Sequence, residues 1–580
     1  MRNIFLLVGL AGLFLGWNLP NHYPLWTTFH SELTAAAGVC LLFVGALSPQ
    51  MPFTLRLQPV SARSQGIRVR LPLPMAARAW LLVALLPPLQ YLTGQLDFYG
   101  DALLGFLYIL GAALSLYTGC LWATQASSAE VLRALFLTVV WAGLAAGGLA
   151  LAQWVRLPGA GWWATDLIGD RPYGNFAQPN LFGLSMVMAV VAATALFEMR
   201  VLQHRLSYYL VLLFLGWAML VGGSRASVLA MLAVAAFWFL TQQRVLTRLH
   251  WYEVVAVLAT GWLVYRSLAS VEEALYLKAA VARVALEAGP RAAIWQQFWA
   301  AIQAHPWVGY GFGQGVLALR EVAASMSPAR NTVYAHSFVL DLMVWFGIPL
   351  GLGLVAALGA WMLGWLRKDA DAELVAQRHW VFAIWLALLV QSLLEFPYAH
   401  TFFLVPAALL AGAITKVPGN PAGAPPQRGS GASRAALALA ALATVLLALT
   451  AWDYLQFETE FRANRFDKAR FSHTEQREPR RGPVMLDHLA ALSEGMQYEI
   501  RPGMPPDQIE RLGRLARRFH LLPTRIDYAK ALALNGRMVD AQAELQMIRG
   551  IYHPSLWAQI ERDWLDWLEE QHRTELPGMR

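Results

Sequence analysis

The side chains in this sequence best suited to chemistry are one histidine and three arginines, set in short polar stretches between long apolar ones. His336, in Ala335-His336-Ser337 at the head of an apolar run, carries an imidazole that can take a proton from a hydroxyl at neutral pH. Arg225 follows Gly222-Gly-Ser224, a turn that needs only small residues, so a guanidinium held there is matched to an anion, either a lipid headgroup or a substrate. Arg171 opens the run Arg171-Pro-Tyr-Gly-Asn-Phe-Ala-Gln-Pro-Asn180, in which Gln178 and Asn180 present amides at a predicted helix start, where anions bind readily. Arg291 precedes His305-Pro-Trp-Val-Gly-Tyr-Gly-Phe-Gly313; the glycine spacing there fits neither a dinucleotide loop nor a P-loop and points to backbone geometry, and Tyr310 is a candidate for contact with substrate. Glu395, in Leu-Leu-Glu-Phe-Pro397, closes another apolar run and can orient a partner or cap a surface. A base with several fixed cations suits a reaction in which a hydroxyl attacks and a multiply anionic group departs. No Asp-x-Asp or paired acidic motif lies on an outside loop near the first two spans, and there is no His/Cys metal spacing or nucleotide loop, so neither a metal site nor a cofactor is expected.

The elements that must position these groups are membrane helices. Of 580 residues, 57% are hydrophobic and 14% charged, mean hydropathy is +0.43, and apolar runs of spanning length recur. The expected fold is therefore all-α and polytopic, with about 12–13 transmembrane helices near 3–19, 32–48, 78–95, 102–123, 132–154, 181–198, 207–222, 226–241, 252–269, 337–366, 379–396, 401–415 and 435–452. The first run lacks a clear cleavage site before Pro20 and reads as a retained span. Cys40 and Cys120 both lie inside apolar runs, which supports no disulfide framework.

Charge assigns the sides. With a cytoplasmic N-terminus, every loop on the inside carries Lys or Arg, from Arg56, Arg63, Arg68 and Arg70 to Lys416, Arg428 and Arg434. The short outside loops 20–31, 96–101 and 397–400 carry none, as the positive-inside rule requires. The basic excess thus reports topology rather than nucleic-acid binding. The long segments 155–180 and 270–336 and the tail then lie outside, where function is expected. The sequence divides into a membrane body, 1–452, and a water-soluble helical domain, 453–580, whose 19 Lys and Arg balance 20 Asp and Glu. Residues 526–550, around Asn535-Gly536, resemble one tetratricopeptide-type hairpin. Residues 417–433 form a Gly/Pro/Ala/Ser-rich connector.

Taken in order, Arg171…Gly174…Gln178-Pro-Asn180, Ser224-Arg225, Arg291…Trp295 with His305 to Gly313, Ala335-His336-Ser337 leading into Phe346-Gly347-Ile-Pro, and Ser392-Leu-Leu-Glu395-Phe-Pro397 resemble the bacterial O-antigen ligase and polymerase superfamily. The likeness is nearest to its O-linked protein oligosaccharyltransferase branch. It covers roughly residues 1–452 and extends more loosely into the tail. The resemblance implies a metal-independent, inverting transfer of a glycan from an undecaprenyl-pyrophosphate carrier, at the periplasmic face of the inner membrane. The acceptor it implies is a Ser or Thr hydroxyl of a pilin-like protein, with lipid A–core sugar (an O-antigen ligase) or a second lipid-linked glycan (a polymerase) as alternatives. It puts His336 on the family's essential loop histidine, and Arg171, Arg225 and Arg291 on arginines beside the pyrophosphate. Many members have His-Asn where this chain has His336-Ser337, which removes any role for an amide at 337. A flippase or transporter is the alternative of another class; it predicts charges near the midplane and an internal repeat, and neither is evident.

Overall fold

The computed structural model describes residues 2–47, 73–244, 248–275, 291–323, 325–326, 332–415, 430–468, 482–519 and 521–570. Arg56, Arg63, Arg68, Arg70, Lys416 and Arg428, most of the connector 417–433 and the middle of the long loop lie outside them. Among the described residues all regular structure is helical, and each expected apolar run is a helix. Among the described residues nine helices are long and apolar enough to cross a membrane: Phe29–Leu47, Met75–Leu92, Tyr99–Gln125, Ser128–Trp154, Pro179–Glu198, Trp251–Ala274, Phe338–Gly364, Ala372–Ser392 and Ala438–Asp467. Arg2–Asn18, Arg205–Val221, Arg225–Thr241 and Thr401–Ala413 are shorter apolar helices. At about 1.5 Å per residue, seventeen residues reach only about 26 Å, slightly less than the ~30 Å hydrocarbon core. The chain is a multi-pass membrane protein.

Two compact units are built from discontinuous segments. The first takes residues 1–83, 108–286 and 359–448. Its centre is helix Pro179–Glu198, apolar on every face and buried along nearly its whole length. Pro179 occupies the first turn, where its missing N–H costs nothing. Helices Tyr99–Gln125 and Thr401–Ala413 approach backbone to backbone: a Cβ on Gly119 would stand 2.1 Å from the Leu409 carbonyl oxygen, and one on Gly412 2.0 Å from that of Leu116.

Several hydrogen bonds of this unit join segments that the charge pattern assigns to the same side. His22 bonds the Thr27 and Asn175 carbonyls, Asn175 donates to the Asn18 and Trp163 carbonyls, and His400 faces Glu32. These residues all belong to or border segments assigned outside. Separately, the Glu198 carboxylate accepts from the backbone of Arg248 and Leu249, and Arg205 pairs with Glu253. Both partners in each case flank loops assigned inside.

The second unit takes residues 84–107, 287–358 and 449–580. Its tail helices are Asp487–Gly495, Pro506–Arg518, Leu522–Leu534, Met538–Ile551 and Pro554–Glu570, and the last four share a core that includes Leu512, Leu532, Ile548, Trp557 and Trp564. The expected hairpin is present. Gly536 takes φ +81° at its turn, and the Asn535 amide donates to the Ala531 and Arg501 carbonyls while its oxygen accepts from the Met504 N–H. The tail also packs on the loop assigned outside at 96–101: Asp487 accepts from the N–H groups of Tyr99 and Gly100.

Candidate active site

Within the first unit, short helices and a tight turn place the cationic candidates. Helix Arg205–Val221 ends at Gly222, Gly223 turns the chain with φ +61°, and Ser224 caps helix Arg225–Thr241 by accepting from the Ser227 N–H. Arg171 reaches this turn from its own loop: Nε donates to the Gly222 carbonyl at 3.0 Å and Nη2 to that of Gly223 at 2.8 Å. It thereby satisfies carbonyls that a helix end leaves without partners. Arg225 is exposed at the first position of its helix. A cation at the positive end of the helix dipole is unfavourable by itself, so the pair of helix end and guanidinium together favours an anion.

Asn180 and Glu395, read separately in the sequence, meet in this unit. Asn180 Nδ2 donates to Glu395 Oε1 at 2.7 Å, and Glu395 is buried at 2% exposure. Gln391 donates to the Asn180 carbonyl at 3.0 Å; its own oxygen lies 3.4 Å from Ser227 Oγ, which donates to Ser224 Oγ at 2.8 Å. A polar path thus runs from Glu395 to the cap of the Arg225 helix, and helix packing keeps it tight: a Cβ on Gly183 would stand 2.3 Å from Ser227 Oγ. Gln178 occupies the extended cap position of helix Pro179–Glu198 without using its side chain to cap it. It follows Ala177, one of four described non-glycine residues in the left-handed region, at φ +54°.

His336, Arg291 and Tyr310 belong to the second unit. His336 is another of those left-handed residues, at φ +52°, a conformation that costs a β-carbon-bearing residue of order 1–3 kcal/mol and must be imposed by its surroundings. Asp341 braces the turn. This fully buried carboxylate in the first turn of helix Phe338–Gly364 accepts from the Ala335 N–H at 2.9 Å, while the Asp341 N–H donates to the Ser337 carbonyl at 2.9 Å. The turn is closed from both sides and leaves the half-buried imidazole at the helix start.

The helix that carries this turn is broken. Gly347 takes φ +78° and ψ +168°, and Pro349 follows. The 305–313 run pairs with the break: the N–H groups of Tyr310 and Gly311 donate to the Val344 and Trp345 carbonyls, and Ile348 donates to Pro306. Glycine is required at the junction, since a Cβ on Gly347 would stand 2.3 Å from the Trp307 oxygen and one on Gly309 2.4 Å from that of Val344. Gln90 completes the join, donating to the Trp345 carbonyl and accepting from the Phe312 N–H. The glycines therefore shape backbone.

Tyr310 is buried, and its hydroxyl donates to the Ala301 carbonyl at 3.0 Å. Burial, with Glu321 nearby, pushes this phenol well above its ordinary range. The hydroxyl expected to face substrate is used inside the fold. Arg291 is half-buried at the first position of the helix that supplies Ala301.

Sequence reasoning missed Asp341, Gln391 and Ser227. The one available signal was an ionisable residue within an otherwise apolar helix, five positions after His336. Among the described residues no group of three or more His, Cys, Asp or Glu is placed to hold a metal ion.

Residues 210–355, which include Arg225, Arg291 and His336, match the O-antigen ligase family. Residues 379–563, which include Glu395 and most of the tail, match a family described as the C-terminal region of a virulence-factor membrane-bound polymerase. The chain is 28% identical over 431 residues to the general O-oligosaccharyltransferase of Acinetobacter baylyi, covering 71% of this chain and 70% of that protein. It is 21% identical over 429 residues to the ComP-specific O-oligosaccharyltransferase of the same organism, covering 72% of each. These matches support a glycosyltransferase of the O-antigen ligase and O-oligosaccharyltransferase type.

Proposed function

We propose that this protein transfers an oligosaccharide en bloc from an undecaprenyl-pyrophosphate carrier to Ser or Thr hydroxyls of proteins such as a pilin, at the periplasmic face of the bacterial inner membrane. The observation that carries this reading is similarity, over some seven-tenths of the chain, to two proteins named O-oligosaccharyltransferases. The absence of Lys and Arg from the short loops 20–31, 96–101 and 397–400 supports the orientation. In this reading residues 1–452 form the glycan-transfer domain, and residues 453–580 form a periplasmic helical domain that offers a surface to the acceptor polypeptide.

The acceptor hydroxyl gives its proton to the His336 imidazole as its oxygen bonds to the anomeric carbon. The bond from that carbon to the carrier's phosphate oxygen breaks, and its electron pair leaves with the diphosphate. Attack opposite the departing group inverts the anomeric centre. Arg171, Arg225 and Arg291 bind the diphosphate and stabilise its developing charge, with Arg225 and Arg291 acting on the leaving group. Gln178, Asn180 and Glu395 contact and orient the donor. Positive charge comes from guanidinium groups, so no metal is required.

Mass spectrometry of periplasmic proteins from cells with and without the gene tests the reading. A protein-borne glycan that disappears on deletion supports it. Loss of a lipid A–core glycan with protein glycans unchanged would instead make the acceptor a lipid.

A further inference from the structure

We propose that the Asp101–Arg518 pair is a positioning device for His336, by which the tail helix Pro506–Arg518 holds the segment that carries the histidine turn. The inference rests on the reading of His336 as the base. Asp101 is buried in the first turn of helix Tyr99–Gln125, and its two oxygens accept from Arg518 Nε and Nη2, both at 2.6 Å. Gln314 lies within electrostatic reach of the same carboxylate. Gln314 also occupies the position before the first residue of helix Gly315–Val322, without a side-chain capping bond, and there a Cβ on Gly315 would stand 2.1 Å from the Val333 carbonyl oxygen. Arg518 in turn lies within electrostatic reach of the Tyr334 phenol. Val333, three residues before His336, thus packs on a helix end that lies beside the pair.

The far end of helix Gly315–Val322 is fixed to the tail as well. Arg320 forks onto the buried Glu544 carboxylate at 3.0 and 2.5 Å, and a Cβ on Gly550 would stand 2.2 Å from the Ala323 oxygen. Paired buried charges of this kind add little net stability but fix geometry, and the two-pronged contact is one that only arginine makes.

The test uses the full-length protein in lipid nanodiscs with lipid-linked glycan and an acceptor peptide. Transfer is measured for Arg518→Gln in the native background and in His336→Ala. A positioning role predicts about a tenfold loss of kcat in the native background with the donor KM within about twofold, and no more than about twofold further loss once His336 is gone. Equal losses in both backgrounds, or none in the native one, would overturn the proposal. Near-full transfer by His336→Ala alone would instead remove the base assignment. Arg518→Lys keeps the charge without the fork and should fall between native and Gln; carried through the same two backgrounds, it gives the same reading if the Gln variant does not accumulate as folded protein.

Discussion

The two sets of candidate residues are held by different means. In the first unit Arg171 grips the carbonyls of the turn that presents Arg225, and a chain of amides and hydroxyls links Glu395 to the cap of the same helix. Apart from the left-handed Ala177, these parts sit at ordinary helix ends, and several bonds share the task. In the second unit His336 stands in a strained turn that a buried carboxylate helps to close, beside a helix broken at Gly347. The lesson is that a diffuse anion can be received by redundant donors, whereas a proton-accepting nitrogen must be aimed, and aiming concentrates the requirement on few residues.

That contrast can be broken at graded strength. Arg225→Ala should have the largest effect on the cation side, lowering transfer about 10²–10³-fold as leaving-group stabilisation is lost, with Lys restoring only part. Steady-state assays with donor titration check this. Asp341→Ala leaves the Ala335 N–H without its acceptor and frees the His336 turn; transfer should fall about 10–100-fold while donor affinity is kept. Asn180→Ala removes one bond among several and should cost about 3–10-fold, mostly as a raised donor KM. If Asn180→Ala proved as severe as Asp341→Ala, the redundancy assigned to the first unit would be wrong.

At the bottom of the scale, Arg525→Met should leave transfer unchanged and raise the melting temperature. Arg525 is 1% exposed; among the described residues its Nε lacks a hydrogen-bond partner and its Nη1 donates to the Met547 sulfur. Replacing such a charge with an apolar side chain is typically neutral or stabilising by about 1–4 kcal/mol. Burial lowers the basicity of this group, so the native fold would gain relative to the unfolded chain only as the pH rises into the strongly alkaline range. The thermal shift should therefore be the same at pH 6 and pH 8.

Much of this fold was legible because membrane spans announce themselves by composition. The Lys and Arg pattern sorted the loops into two sets, and the hydrogen bonds of the first unit respect that sorting. The hairpin at Asn535-Gly536 was readable from local turn chemistry. Partners distant in sequence were not readable: nothing local in Asp101 points to Arg518, or in Arg320 to Glu544. Asp341 was hidden for another reason. It lies in a run that reads as a span, where periodicity is uninformative because every face is apolar, so its role emerges only with the backbone of residues 335–341. Tyr310 shows the converse, since its motif suggested contact with substrate and its hydroxyl turned out to bond Ala301.

The most direct test is single-turnover transfer by His336→Ala, with donor binding measured on the same preparation. The account predicts a loss of about 10²–10⁴ in the transfer step with donor affinity essentially unchanged. Near-native transfer, or a loss explained entirely by weaker donor binding, would contradict it.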